Sequence, residues 1–227
     1  MSIAAKITAI TKELKNTGVK LIAVSKTKPI ENIAEAYAVG QRLFGENTVQ
    51  ELVEKYEALP KDIEWHLIGH LQTNKVKYIA AFISMIHSVD SLKLIQEINK
   101  QALKHNRIID CLLQIYIADE DTKYGMDFAE GIEFLRSEEF KQLNNVRIRG
   151  VMGIATLTEN DRMIRDEFHE LKTFFTGLKE TFFKNDPNFT EISMGMSGDY
   201  KIAIEQGSTM IRPGSTLFGS RAKKSNS

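Results

Sequence analysis

Lys26 stands just past the apolar run Leu21-Ile22-Ala23-Val24, and Pro29 keeps that run from continuing as a ladder. The run reads as a buried strand, so Lys26 sits where a strand ends. An ammonium drawn out of water at such a place loses pKa and becomes an amine able to condense with a carbonyl. The competing reading is a solvated lysine where a strand surfaces, the usual condition of lysine. What else reaches the same spot decides between them.

Two loops near the C-terminus supply partners. Gly195-Met196-Ser197-Gly198-Asp199 offers backbone N–H groups and a hydroxyl to an anion, and Gly214-Ser215 offers a second set. Tight turns alone would also explain these glycines. Arg212 is a permanent cation at a strand end. It suits either a structural carboxylate or a ligand ring nitrogen, which its charge would keep unprotonated.

These groups need a scaffold that gathers strand ends. From Lys20 onward, apolar runs at Leu21–Val24, Arg42–Gly45, Trp65–Gly69, Met85–Val89, Cys111–Ile117, Ile148–Ile154, Glu191–Met194 and Thr209–Ile211 alternate with stretches of helical periodicity. That alternation predicts βα units and a parallel sheet. Eight such runs fit an α/β fold of the (β/α)8 TIM-barrel type, whose active groups cluster at the C-terminal ends of the strands. An open doubly wound sheet would place a glycine-rich loop after its first strand. Ser25-Lys26-Thr27-Lys28 contains no glycine. The barrel is favoured.

One barrel domain over residues 1–227 is expected. An amphipathic helix occupies residues 1–18, stopping at Gly18, and a polar, frayed tail occupies 221–227. The 227 residues carry 30 basic and 30 acidic side chains, so no global field draws nucleic acid or an acidic membrane surface. Cys111, the single cysteine, lies in an apolar run and reads as a buried small hydrophobe. No signal-peptide segment and no long apolar span follow Met1, which points to the cytoplasm. The five histidines lack metal-ligand spacing, and His66 reads as a packed residue beside Trp65. No metal site is expected. Neither a G-x-S-x-G elbow nor a P-loop is present.

Five ordered motifs carry a resemblance. They are Val24-Ser25-Lys26-Thr27-Lys28-Pro29, Phe44-Gly45-Glu46-Asn47-x-x-Gln50-Glu51 and Trp65-His66-Leu67-Ile68-Gly69-His70-Leu71-Gln72-x-Asn74-Lys75, followed by Gly195-Met196-Ser197-x-Asp199 and Gly207-Ser208-Thr209-Met210-x-Arg212-x-Gly214. Together they resemble the YggS/PROSC-type pyridoxal phosphate homeostasis proteins, single-domain relatives of the alanine racemase N-terminal barrel (fold type III among proteins that use pyridoxal 5'-phosphate, PLP). The resemblance implies that Lys26 carries PLP as an internal aldimine. It implies that Ser197, with backbone amides at Gly214 and Ser215, holds the phosphate, and that Arg212 faces the pyridine nitrogen. Asn47 would line the cofactor face, Ser193 is a further phosphate-side candidate, and Lys28 and Lys123 are mouth lysines. Pro213 stands where the family commonly has isoleucine, and Ser215 where it has threonine.

An arginine opposite the ring nitrogen makes PLP a weak electron sink. In alanine racemases a tyrosine from the partner's C-terminal domain supplies the second base, and none of the six tyrosines here lies in a matching motif. The chain ends shortly after Gly219, so that domain, and the dimer it completes, are not expected; a monomer is. The resemblance therefore implies a non-enzymatic PLP homeostasis protein that holds PLP for PLP-dependent apoenzymes. A low-activity amino-acid racemase and a Schiff-base barrel aldolase are the alternatives.

Overall fold

The structure, a computed structural model, describes residues 1–118 and 124–219. Lys123 and the tail 221–227 lie outside the described residues. Helix α1 (Ile3–Leu14) starts at Ser2, whose side chain accepts the Ala5 N–H, and it buries Ile7, Ile10 and Leu14. That spacing is one face of a 3.6-residue period.

Nine parallel segments follow: β1 (Lys20–Leu21), β2 (Ala23–Val24), β3 (Leu43–Glu46), β4 (Glu64–Leu67), β5 (Met85–Val89), β6 (Ile109–Gln114), β7 (Val146–Met152), β8 (Glu191–Ser193) and β9 (Met210–Ile211). Helices α2 (Ile30–Ala38), α3 (Val49–Ala58), α4 (Leu92–Lys104), α5 (Phe128–Arg136), α6 (Glu138–Lys141), α7 (Asp161–Thr181), α8 (Tyr200–Glu205) and α9 (Ser215–Phe218) lie between or after them. The crossover from β4 to β5 is a 3-10 segment, Thr73–Tyr78.

The sheet order β1-β9-β8-β7-β6-β5-β4-β3-β2 runs from one half of a single stretch to the other. Lys20, Ile22 and Val24 donate their N–H groups to the carbonyls of Thr209, Ile211 and Pro213. On its other side the stretch pairs Ala23 with Phe44 and Val24 with Gly45. One apolar run thus closes the barrel by pairing on both edges. This is why the run predicted as one strand appears as two.

The main core lies between barrel and helices, with Phe44, Trp65, Leu67 and Ile86 from the strands meeting Ile33, Leu52, Ile98 and Phe168 from the helices. Each such side chain contributes about 1.5–3 kcal/mol by leaving water. Inside the barrel is a smaller cluster of Ile22, Met85, Leu112, Met152 and Met210. Period-2 alternation directs His66, His87, Ser193 and Arg212 into the same interior. Among the described residues no helix is long and apolar enough to cross a membrane.

Candidate functional site

A cavity of about 400 Å³ opens at the C-terminal end of the barrel, lined by Lys26, Asn47, Ser197, Arg212, Gly214 and Ser215 among others. Its volume suits a small cofactor. Six of the seven residues singled out from the sequence therefore meet in one place. Lys26 and Asn47 follow strands at the start of the chain, and Arg212 and Gly214 follow the last strand, so barrel closure is what unites them.

The seventh, Ser193, does not line the cavity. It is fully buried beneath Arg212, whose Nη1 donates to Ser193 Oγ at 2.6 Å. Arg212 also donates from Nη2 to the Gly153 carbonyl at 2.9 Å. Burial pulls Arg212 down to about 10, with Asp199 acting in the opposite direction, so it stays protonated at neutral pH. Among the described residues no carboxylate lies within ion-pair distance of it. Neutral acceptors hold this cation.

Behind Ser193 runs a chain the sequence did not reveal. Ser193 Oγ lies 2.9 Å from His87 Nδ1, and His87 Nε2 lies 2.8 Å from His66 Nδ1. Arginine can only donate, so Ser193 accepts from it. If the Ser193 hydroxyl turns its own hydrogen toward His87 Nδ1, His87 donates from Nε2 to His66. Both rings are neutral: burial, then Lys20, brings His66 to about 3. Burial, then His66 and Arg212, holds His87 well below the ordinary histidine value. Sequence inspection treated His66 as a packing residue; the available signal was the shared inward parity of two neighbouring strands.

At the opposite wall, Ser197 Oγ accepts the Gly214 N–H at 3.0 Å and the Thr216 N–H at 3.1 Å. An oxyanion seated here would take over both donors. Ser215, whose amide the resemblance also assigns to the phosphate, lines the cavity between these two donors. Gly214 is needed for close approach, since a Cβ there would lie 3.2 Å from the Val24 carbonyl oxygen. Asn47 is backed by Gly69, where a Cβ would stand 2.3 Å from the Asn47 carbonyl oxygen. Lys28 donates to the Gly219 carbonyl at 2.9 Å, at the cavity's edge.

Two neighbouring hollows differ in chemistry. A groove of about 590 Å³ between α3 and the 3-10 segment shares Asn47 but has neither Lys26 nor Arg212 in its walls. A pocket of about 300 Å³ adjoins the main cavity through Ile154, Leu157 and Met196 and is lined by Tyr116 and Tyr124. Cys111 is fully buried, which pushes its thiol up and removes it as a nucleophile.

The fold and site together are an all-parallel barrel with a strand-end lysine, convergent amides and a buried arginine at its mouth. The chain belongs to the family of the alanine racemase N-terminal domain, which it matches over residues 1–222. Within that family it is similar to proteins named for pyridoxal phosphate homeostasis. The one from Aquifex aeolicus is 42% identical over 203 residues, spanning 89% of this chain and 87% of the relative. The Escherichia coli K12 protein is 38% identical over 208 residues, spanning 89% and 86%. Among solved structures, PipY of Synechococcus elongatus with PLP bound is 38% identical, with a TM-score of 0.85 over 96% of this chain and 100% of that one. The alanine racemase of Clostridium difficile, 15% identical, shares the fold alone at a TM-score of 0.75 over 97% of this chain and 60% of its own.

Proposed function

We propose that this protein is a pyridoxal 5'-phosphate carrier of the cytoplasm, holding the cofactor on Lys26 and serving its homeostasis rather than catalysing turnover. The observation that carries the reading is the convergence of Lys26, the amides gathered at Ser197, and Arg212 on one cavity of about 400 Å³. Those groups suit, in turn, an aldehyde, a phosphate and a ring nitrogen. Asn47 Oδ1, buried with no hydrogen-bond partner among the described residues, is a further acceptor for a ligand at the same mouth.

PLP, once bound, supplies an electron sink for chemistry at an amino-acid α-carbon. The protein's own groups do the rest. Lys26, in the cavity wall, would hold the cofactor through its aldehyde. Ser197, with the Gly214 and Ser215 amides and the neighbouring Thr216 amide, would hold the phosphate end. Arg212, protonated and braced by Ser193 and Gly153, would disfavour a proton on a ring nitrogen placed against it and so weaken the sink. Storage and delivery to apoenzymes by a monomer is the role this favours.

One observation supports a second reading. Tyr116 and Tyr124 line the pocket adjoining the cavity, so a phenol is available as a second base for slow racemisation.

The test is reconstitution with PLP, followed by borohydride reduction and mass spectrometry. The expected result is visible absorbance and a pyridoxyl group on Lys26, both lost in Lys26→Ala. Protein that stays colourless overturns the proposal and favours the aldolase alternative. Fast racemisation of alanine or another amino acid would instead establish the second reading.

A further inference from the structure

The cavity leaves Glu46, Glu51 and Lys55 without a role. They form a cluster behind the turn that carries Lys26. Lys55, 4% exposed, donates from Nζ to Ser25 O, Glu46 Oε1 and Glu51 Oε1, each at 2.7 Å. Ser25 Oγ donates to Glu46 Oε1 at 2.5 Å, and the Thr27 N–H donates to Glu51 Oε1 at 2.5 Å. Both chain neighbours of Lys26 are therefore tied to one buried ion cluster. Glu46 and Lys55 hold Ser25 on one side, and Glu51 holds Thr27 on the other.

The tie has work to do. The Lys28 N–H closes a four-residue turn onto Ser25 O at 3.0 Å, and Thr27, its third residue, has φ 63°. Position three of such a turn favours glycine, and a β-branched side chain is strained there. Glu51 lies on α3 one turn before Lys55, so a helix already packed on the barrel supplies the anchor. Without it the Thr27 amide loses its partner and the turn has reason to relax, carrying Lys26 with it.

We propose that Glu51, backed by Lys55 and Glu46, is a positioning residue that holds the Ser25–Lys28 turn in its left-handed form and thereby aims Lys26 into the cavity. The inference rests on the reading of Lys26 as the lysine that takes the cofactor. It gives a physical task to the Glu46 and Glu51 of the second sequence motif, and adds Lys55, which lies outside every motif.

The test compares wild type, Glu51→Ala, Glu51→Gln and the double variant Glu51→Ala/Thr27→Gly, each freed of ligand and mixed with PLP. Attachment is followed by absorbance and located by borohydride reduction and mass spectrometry. Glu51→Ala leaves the buried Glu46–Lys55 pair intact, so the fold is expected to survive. Attachment at Lys26 should slow by about tenfold to a hundredfold, the scale of a misplaced reacting group. Glu51→Gln keeps an oxygen for the Thr27 N–H and should stay within about threefold of wild type. Thr27→Gly should recover much of the lost rate, because glycine adopts positive φ without strain. In the ligand-free chain, hydrogen exchange at the Thr27 amide should quicken in Glu51→Ala and not in Glu51→Gln.

Wild-type attachment at Lys26 with an unchanged rate in Glu51→Ala overturns this inference and leaves the carrier reading standing. No wild-type attachment at Lys26 overturns both. Slowing in Glu51→Ala that Thr27→Gly does nothing to relieve overturns the turn-holding role.

Discussion

Mild acid should destabilise this protein through His66 and His87. An unfolded histidine titrates near 6.5, whereas burial holds His66 at about 3 and His87 well below the ordinary value. Below pH 6.5 the unfolded chain therefore takes up protons that the native barrel refuses, and stability falls as pH falls. From pH 7 to 5.5 each ring costs on the order of 1 kcal/mol, so the pair costs about 2–3 kcal/mol. In a chain of this size that lowers the melting temperature by about 5–10 °C. Glu46 opposes the trend: burial raises its pKa against the pull of Lys55, so its native form takes up a proton before the unfolded form does. Calorimetry of ligand-free protein at fixed ionic strength, with a His87→Gln variant beside wild type, checks the claim. The variant should lose about half of the pH slope. A wild-type melting temperature constant from pH 7 to 5.5, or a slope unaltered in His87→Gln, would refute the assignment of the two rings as buried and neutral.

Three further outcomes are expected. Arg212→Gln should shift the absorbance of PLP-loaded protein and its pH titration while leaving attachment at Lys26 intact; an identical spectrum counts against Arg212 facing the ring. Gly69→Ala brings a Cβ to within 2.3 Å of the Asn47 carbonyl oxygen, so it should cost about 2–4 kcal/mol in a denaturant titration and weaken PLP binding. Lys55→Met leaves the fully buried Glu46 beside no cation and should cost about 3–5 kcal/mol at neutral pH, partly recovered by adding Glu46→Gln.

The barrel was legible because buried parallel strands need near-continuous apolar residues, and Ile192 or Ile86 can sit nowhere else. What the sequence hid was set by tertiary choice. Leu21–Val24 reads as one strand, and only the positions of β3 and β9 reveal that it pairs with both. The stretch after Thr73 carries helical spacing but winds as a 3-10 segment. In the site, strand-end position was enough to shortlist Lys26 and Arg212, which meet in one cavity, but their roles came only from the motif resemblance. Thr216 reaches Ser197 through its backbone amide as well as its hydroxyl, and no residue type announces the amide. His66 and His87 stand 21 residues apart and meet because neighbouring strands turn both inward. Glu51 and Lys55, four apart on α3, show as an ordinary helical pair until the turn they hold is seen.

The double pairing of Lys20–Val24 has a consequence for synthesis. Lys20 N–H bonds to Thr209 O at 2.8 Å, so the seam joins opposite ends of the chain. Contacts that distant in sequence form late, because the loop they close must lose its freedom before they repay it. Lys26 follows this seam directly, whereas Arg212 and Gly214 emerge only after β9 has been made. A nascent chain halted before β9 therefore has Lys26, Asn47 and Ser197 but lacks Arg212 and Gly214. Capture of a ligand at this mouth would report that the ring has shut, making occupancy a built-in signal of completed folding.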